Sequence, residues 1–365
     1  MTDIFDLLET ADYENLIFSH DEATGLKAIT CIHNTTLGPA IGGLRIWNYK
    51  TEEDAIIDAI RLAKGMTYKN AACGIYAGGA KTVMMIDPEK NPKSEEMMRA
   101  FGRFVEGMNG RYLTAEDVGS SEADMDYIYQ ETDYVLGTTM KPGTSGNPSP
   151  STARGVYVGI KASCKQRYGS DDVKGKKMVV EGLGNVGFNV CKYLLEDGAE
   201  VYGTDINEKA IERAKEAGVK IIERDELYSF DADIYAPCAL GATINDESIE
   251  QFKFDIVAGS ANNQLKEEKH GQILKDKGIL YAPDFIINAG GVIHCHDELF
   301  GGFNKERVAI TVDGIYDQLL KVFKIAEEED IPTSQAANKF AEDRIAKILK
   351  TKKIFARVNK STIRR

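Results

Sequence analysis

The chain has no C-x-x-C pair. Its six cysteines, Cys31, Cys73, Cys164, Cys191, Cys238 and Cys295, are scattered along 365 residues, which reads as reduced, mostly buried thiols of a cytoplasmic protein and not as a disulfide framework. No run approaches the roughly 18 apolar residues of a membrane span. The opening MTDIFDLLETADYENL has neither a basic n-region nor an apolar h-region, so no signal peptide is expected. Positive charge is not in excess: 45 Lys and Arg stand against 57 Asp and Glu, a net charge of −12. Such a surface repels phosphate backbones and anionic lipid, so neither nucleic acid nor membrane is an expected partner. Internal repeats and low-complexity tracts are also missing. What is present is 43% hydrophobic and 28% charged residues, enough for two buried cores, and 34 glycines that prove to be clustered.

The first third alternates strand-like and helix-like patterns. LKAITCIH (26–33), KTVMMID (81–87) and RYLTAED (111–117) read as strands. Residues 52–72 read as a helix, with Ile56, Ile60, Ala63 and Met66 at helical spacing, and Ser94 followed by two acids starts another. KPGTSGNPSPST (141–152) is rich in Gly, Pro and Ser and marks a boundary or hinge. Beyond it the pattern becomes regular: a helix over 152–166, strand KKMVVEGLG, a helix from about 186, strand EVYGTDI, a helix over 207–217 and strand KIIE. Strands ADIYAPC, DIVAGSA and ILYAPDFIIN follow, and 304–350 is helical. Strand–helix alternation implies a parallel, doubly wound sheet. The expected architecture is therefore α/β in two domains, 1–145 and 146–330, with a cleft between them and a helical segment of about 331–365 returning to the first. Lys347 to Arg365 holds eight basic residues and no acidic one. This reads as a helix end complementing its dipole or a strip facing an acidic neighbouring subunit, in preference to an anion-binding tail.

Residues 178–187, MVVEGLGNVG, place Gly182, Gly184 and Gly187 in a G-x-G-x-x-G spacing, with Leu183, Asn185 and Val186 between them. The first glycine makes the turn after the strand, the second lets a pyrophosphate approach the backbone, and the third lets helix pack on strand. The pyrophosphate would sit at the positive helix N-terminus. Asp205, 18 residues after Gly187, is placed to bind ribose hydroxyls. Its charge opposes a 2′-phosphate, so NAD is expected over NADP.

A second block is rich in glycine and lysine: GPAIGGLRIW (38–47) and KGMTYKNAACGIYAGGAKT (64–82), with Lys69 and Lys81 twelve residues apart. A lysine in a glycine-rich turn is open to close approach and partly desolvated, which draws its pKa toward neutrality. TAEDVG (114–119) adds Glu116 and Asp117 at a strand end. Spacing alone favours solvated lysines and acids over a proton-transfer site.

Taken together, GPAIGGLR, RLAKGMTYKNAACGIYAGGAKT, YLTAEDVG, NPSPSTARGVYVG, VVEGLGNVG, APCALG, AGSANNQL and INAGGVI resemble the Glu/Leu/Phe/Val dehydrogenase family over nearly the whole chain, and most of all its leucine-acting branch. The resemblance implies NAD-dependent oxidative deamination of a branched-chain L-amino acid to a 2-oxo acid and ammonia, by a homo-oligomer, commonly an octamer. By position it implies that Lys81 activates water, Lys69 pairs with the substrate α-carboxylate, and Asp117 exchanges a proton with the substrate amine. Gly42, Gly43 and Met66 would line the carboxylate end. Asn263 would lie between substrate and ribose, Thr152 would hold the nicotinamide carboxamide, Asn288 would flank the nicotinamide ring, and Cys238 and Ala239 would meet the cofactor.

The side-chain pocket is implied to be apolar. The glutamate-acting branch carries a lysine where this chain has Ile41, and a buried carboxylate there would lack a partner. Ala115 is bulkier than the glycine usual in the phenylalanine branch, which favours an aliphatic substrate, and Val292 and Cys295 would complete the wall. The chain departs from the leucine pattern at 293–299, where IHCHDEL replaces INVADEL. His294 and His296, at strand-type spacing, would point to one side without further ligands, so no metal is expected. Asn147, where an acid is common, is a further departure without a consequence we can assign. Two alternatives remain open: an aromatic (Phe or Trp) or other apolar preference, and a non-catalytic nucleotide-sensing member of the fold.

Overall fold

The computed structural model describes residues 4–87 and 89–351. The chain divides into two compact units. One comprises the chain up to Gly146, Cys295–Asn304 and the chain from Glu342. The other comprises Asn147–His294 and Lys305–Ala341. The first division lies inside the Gly/Pro/Ser-rich stretch. The return to the first unit falls at Glu342, within a helix, and not at about 331.

In the first unit, helix α1 (Ile4–Glu9) precedes the hairpin β1 (Asn15–Asp21) and β2 (Leu26–Asn34). Then come β3 (Ala40–Trp47), α2 (Glu52–Ala72), β4 (Gly78–Met85), α3 (Glu95–Gly107), β5 (Tyr112–Glu116) and α4 (Glu122–Tyr129). The sheet order is β1-β2-β4-β3-β5, antiparallel across β1/β2 and β2/β4 and parallel across β4/β3 and β3/β5. Alternate side chains go to opposite faces. Ile29, Cys31 and Val83 pack with Ala55, Ala59, Ile60 and Ala63 of α2. Ala28, Ile32, Leu44 and Met84 pack with Met97, Phe101 and Val105 of α3 and with Met125 and Ile128 of α4. The cap expected at Ser94 is present, its side chain accepting the Met97 N–H, and at the start of α2 Thr51 accepts the Asp54 N–H, each satisfying a first-turn donor.

The central strand β3 was not expected. Adjacent Gly42 and Gly43 lower strand propensity and hide the alternation of Ala40, Leu44 and Ile46. β4 likewise begins earlier than the strand expected at 81, because Gly78 and Gly79 bring its backbone against neighbours. A Cβ on Gly78 would stand 1.9 Å from the Asn34 carbonyl oxygen, and one on Gly79 2.1 Å from the Thr67 nitrogen.

The second unit opens with α5 (Ser149–Tyr168), followed by β6 (Lys177–Glu181), α6 (Asn185–Glu196), β7 (Glu200–Thr204), α7 (Glu208–Glu216) and β8 (Lys220–Ile221). Its second half runs β9 (Ile234–Pro237), α8 (Asp246–Gln251), β10 (Ile256–Val257), α9 (Lys269–Asp276), β11 (Leu280–Tyr281) and α10 (Asp284–Ile287). α11 (Gly290–His296), α12 (Lys305–Asp313), α13 (Ile315–Glu328) and α14 (Thr333–Thr351) complete the described chain. The six strands are all parallel, in the order β11-β10-β9-β6-β7-β8. Strand order therefore reverses between β6 and β9, the switch point where doubly wound sheets open a crevice for dinucleotides.

Two segments differ from the expected strands. ILYAPDFIIN is a strand only over Leu280–Tyr281; after Pro283 the chain turns into α10. GGVIHCH is helical, so His294 and His296 are not same-side strand neighbours. Both segments are short apolar runs, in which periodicity cannot separate strand from helix. The basic stretch lies outside the described residues from 352 onward. Among the described residues no helix is long and apolar enough to cross a membrane.

Candidate active site

Lys81 lies on β4 with its side chain only 5% exposed, and its Nζ is 2.7 Å from Oδ2 of Asp117, which follows β5 directly. The same oxygen accepts Nε–H of Arg45, on β3, at 3.0 Å. Three adjacent strands thus deliver two cations and one carboxylate to one point. Burial lowers the Lys81 pKa; Asp117 opposes that shift, while Arg45 and Lys69 add to it. Burial tends to raise the Asp117 pKa, but Lys81 and Arg45 overcome it and hold it below the ordinary carboxylate range. Beside it, Glu116 is raised, first by burial and then by its acidic neighbours. The result is an amine biased toward its neutral form beside an ionised carboxylate, the pairing that proton transfer needs.

The two glycines of β3 make this approach possible. A Cβ on Gly42 would stand 1.7 Å from the Ala80 carbonyl oxygen and 3.0 Å from the Lys81 nitrogen. One on Gly43 would stand 2.7 Å from Cβ of Asp117. Asp117 is held further by its own N–H, which donates to Ser120 Oγ at 2.9 Å. Lys69 and Met66 are half-buried on α2, one helical turn apart. The face of α2 that bears Thr67 and Asn70 is locked to the sheet: Thr67 Oγ1 meets His33 Nδ1 at 2.8 Å and Asn70 Nδ2 donates to the Gly78 carbonyl at 2.6 Å. Ile41 is buried and pairs with Leu113, and the half-buried Ala115 pairs with Gly43.

In the second unit the glycine fingerprint spans the β6–α6 turn. Gly182 has φ 92°, a region that favours glycine. A Cβ on Gly187 would lie 1.9 Å from the Gly182 carbonyl oxygen and 3.2 Å from Cβ of Cys238, and one on Gly182 would lie 2.8 Å from Cβ of Ala239. Cys238 and Ala239 follow β9, so the two chain turns of the switch point touch through these glycines. Gly184 has open space on its Cβ side and caps α6 without a side-chain acceptor, which leaves first-turn N–H groups for anionic oxygens. Asn185 and Val186 open that helix. Asp205 follows β7, and its Oδ2 accepts the Leu183 N–H at 2.6 Å. From α7, Arg213 donates to the Leu183 carbonyl at 2.8 Å and covers the Phe188 ring at 4.2 Å. Asn288, at the end of α10, donates to Asn262 Oδ1 at 2.8 Å and to the Ser260 carbonyl at 3.1 Å, while its own buried Oδ1 has no partner among the described residues. Asn263 takes φ 50°. Thr152 lies on α5, close to Gly291, whose Cβ would come within 2.9 Å of its Oγ1. The glycine cradle, the uncapped helix and the orphaned Asn288 oxygen fit a dinucleotide. Alanine at Gly187 is therefore expected to raise the KM for the dinucleotide at least about tenfold, because a backbone clash cannot be relieved without opening the turn; titration with NADH checks it.

Of the expected side-chain pocket, Val292 belongs to the second unit and Cys295 to the first. Burial pushes the Cys295 thiol up to about 12. His294 Nδ1 instead meets Ser151 Oγ at 2.8 Å. Among the described residues, Asp246, Glu267 and His270 gather ligand-type atoms. The Lys269 ammonium already lies 3.1 Å from Asp246 and 3.5 Å from Glu267, and His270 Nδ1 accepts the Glu267 N–H at 2.9 Å. Sequence reasoning missed Arg45, Asp58, Ser120, Asn262 and Arg213. Arg45 shares the strand face of Gly43, a relation that can be read only once β3 is known to be a strand.

Residues 14–134 match the family described as Glu/Leu/Phe/Val dehydrogenase, dimerisation domain, and 143–206 with 203–352 match Glutamate/Leucine/Phenylalanine/Valine dehydrogenase. The chain belongs to this dehydrogenase family. It is 54% identical over 361 residues to leucine dehydrogenase of Thermoactinomyces intermedius, covering 99% of this chain and 98% of that one. It is 44% identical over 354 residues to phenylalanine dehydrogenase of Caldalkalibacillus thermarum, covering 95% of each. Among solved structures, L-tryptophan dehydrogenase of Nostoc punctiforme superposes with a TM-score of 0.86 at 42% identity, covering 95% of this chain and 99% of that one. As a member of this NAD(P)-dependent family, the protein is an amino-acid dehydrogenase with the two-domain α/β fold that its sequence implied.

Proposed function

We propose that this dehydrogenase oxidatively deaminates branched-chain L-amino acids, leucine foremost, with NAD, giving the 2-oxo acid and ammonia. The observation that carries the reading is the buried Lys81 amine 2.7 Å from the Asp117 carboxylate, on a sheet whose neighbouring position 41 is apolar. NAD, when bound, supplies the acceptor for the hydride leaving Cα. The residues that would hold it are Gly182 to Gly187, Asp205, Cys238, Ala239, Thr152 and Asn288. Asp205 favours NAD over NADP by charge.

The chain's own residues do the rest. Lys69 pairs with the α-carboxylate and fixes the substrate by that end, with Gly42, Gly43 and Met66 about it. Asp117 takes a proton from the substrate ammonium, since a positive nitrogen opposes loss of hydride from the adjacent carbon. Neutral Lys81 takes a proton from water as the oxygen attacks the imine carbon, and ammonia departs. Ile41, Ala115 and Cys295 offer the substrate side chain a surface without charge, and Val292 and Asn263 of the second unit belong to the same substrate reading. Assembly as a homo-oligomer is part of the reading, supported by the dimerisation-domain match of the first unit.

A panel of L-amino acids with NAD or NADP, followed by near-ultraviolet absorbance of the reduced cofactor, tests this. Leucine, isoleucine and valine with NAD are expected to exceed phenylalanine, tryptophan and glutamate in kcat/KM by at least about tenfold, the discrimination a shaped apolar pocket gives. A preference for phenylalanine or tryptophan would overturn the substrate, and no turnover with any amino acid would leave only a nucleotide sensor.

A further inference from the structure

Arg45 occupies a defined place in the acid–base cluster. Lys81 Nζ and Arg45 Nε bind the same oxygen, Oδ2 of Asp117, at 2.7 and 3.0 Å. A second guanidinium nitrogen of Arg45 meets Oδ2 of Asp58, on α2, at 3.0 Å. Asp58 also accepts the Tyr49 hydroxyl at 2.7 Å and Arg61 at 2.9 Å. Among the described residues no hydrogen bond or ion pair reaches Oδ1 of Asp117.

We propose that Arg45 is the positioning residue of the proton-transfer pair: it shares Oδ2 of Asp117 with Lys81, presents Oδ1 to the substrate amine, and supplies the permanent countercharge that lets Lys81 work as a neutral base. This rests on the reading of Lys81 as base and Asp117 as proton carrier. An isolated buried lysine–carboxylate pair holds its proton, because a neutral amine would leave the carboxylate buried and uncompensated. A guanidinium does not deprotonate. With Arg45 on the shared oxygen, Asp117 keeps a cation whether or not Lys81 is charged. When the substrate ammonium gives up its proton, the N–H bond breaks, its electron pair stays on nitrogen, and the O–H bond forms at Oδ1.

The charges and titratable groups facing the pair are Lys81 on β4, Arg45 on β3, Lys69 and Asp58 on α2, and Tyr112 and Glu116 on β5, with Tyr49 reaching it through Asp58. Asp58 partly offsets the Arg45 charge. Removing Arg45 and removing Asp58 should therefore move the Lys81 titration in opposite directions.

The test is the pH dependence of kcat and KM for leucine with NAD, in wild type, Arg45→Gln and Asp58→Asn. Arg45→Gln is expected to lose at least about tenfold in kcat at neutral pH and to recover part of it in alkali, its acid limb moving up by about one pH unit. Asp58→Asn is expected to move that limb down. KM for leucine should stay within about threefold in both, since neither residue meets the carboxylate end. A loss in Arg45→Gln that is uniform across pH, or an Asp58→Asn limb that stays put or rises, overturns the proposal. Should Arg45→Gln not fold, Asp58→Asn decides alone. Wild-type turnover with unmoved limbs in the variants sinks only the role of Arg45; absence of wild-type turnover takes down the functional reading and this role with it.

Discussion

Replacing Lys81 with alanine is expected to abolish turnover while leaving dinucleotide binding intact. General-base catalysis contributes about 10²–10⁴-fold, and no other amine contacts Asp117 among the described residues. Arg45 still pairs Asp117 in the variant, so the carboxylate is not left uncompensated and the unit is expected to fold. The glycine fingerprint belongs to the other compact unit, so NADH titrated by fluorescence should bind Lys81→Ala as it binds wild type. A variant that keeps more than about a tenth of wild-type kcat would remove Lys81 as the base. The wild-type pH profile is part of the same expectation. Burial lowers the Lys81 pKa from the ordinary 10.5, and lowering it makes neutral amine available at lower pH. Activity should therefore rise with pH along a limb that lies below a free lysine's.

Alanine at Gly43 is expected to fold and yet to lose at least about 100-fold in kcat, with the loss in kcat and not in dinucleotide binding. The added Cβ would stand 2.7 Å from Cβ of Asp117 and 2.8 Å from the Glu116 carbonyl oxygen. Neither is the free end of a flexible chain, so Asp117 must move, and a misplacement of about 1 Å at a reacting group costs about that much. The overpacking itself should destabilise by about 1–3 kcal/mol, read as a lower melting temperature. Gly107, at the end of α3, is the contrast: a Cβ there meets nothing within 4 Å, so its alanine variant is expected to gain up to about 1 kcal/mol with kcat unchanged.

How far the sequence carried the reading follows from how local each feature is. The β6–α6 turn was legible because its three glycines, the strand before and the helix after are contiguous. α2 was legible because it is long enough to show its period in Ile56, Ile60, Ala63 and Met66. β3 was illegible because the glycines that make it functional remove the side chains that would have declared it a strand. Residues 290–296 were misread because a single apolar stretch of that length carries no period. The Arg45–Asp117 contact joins residues 72 apart, and a lone arginine on an unrecognised strand reads as solvated. Lys81 and Asp117 were singled out individually, whereas their shared oxygen is a product of tertiary structure alone.

The carboxylate of Asp205, which follows β7, latches the Leu183 amide through Oδ2, while its Oδ1 accepts the Asn207 N–H. Truncating this side chain to admit a phosphorylated dinucleotide would thus unfasten the turn while removing the negative charge. Asparagine, which deletes the charge but keeps an oxygen for that amide, is the better starting point for such a redesign than alanine.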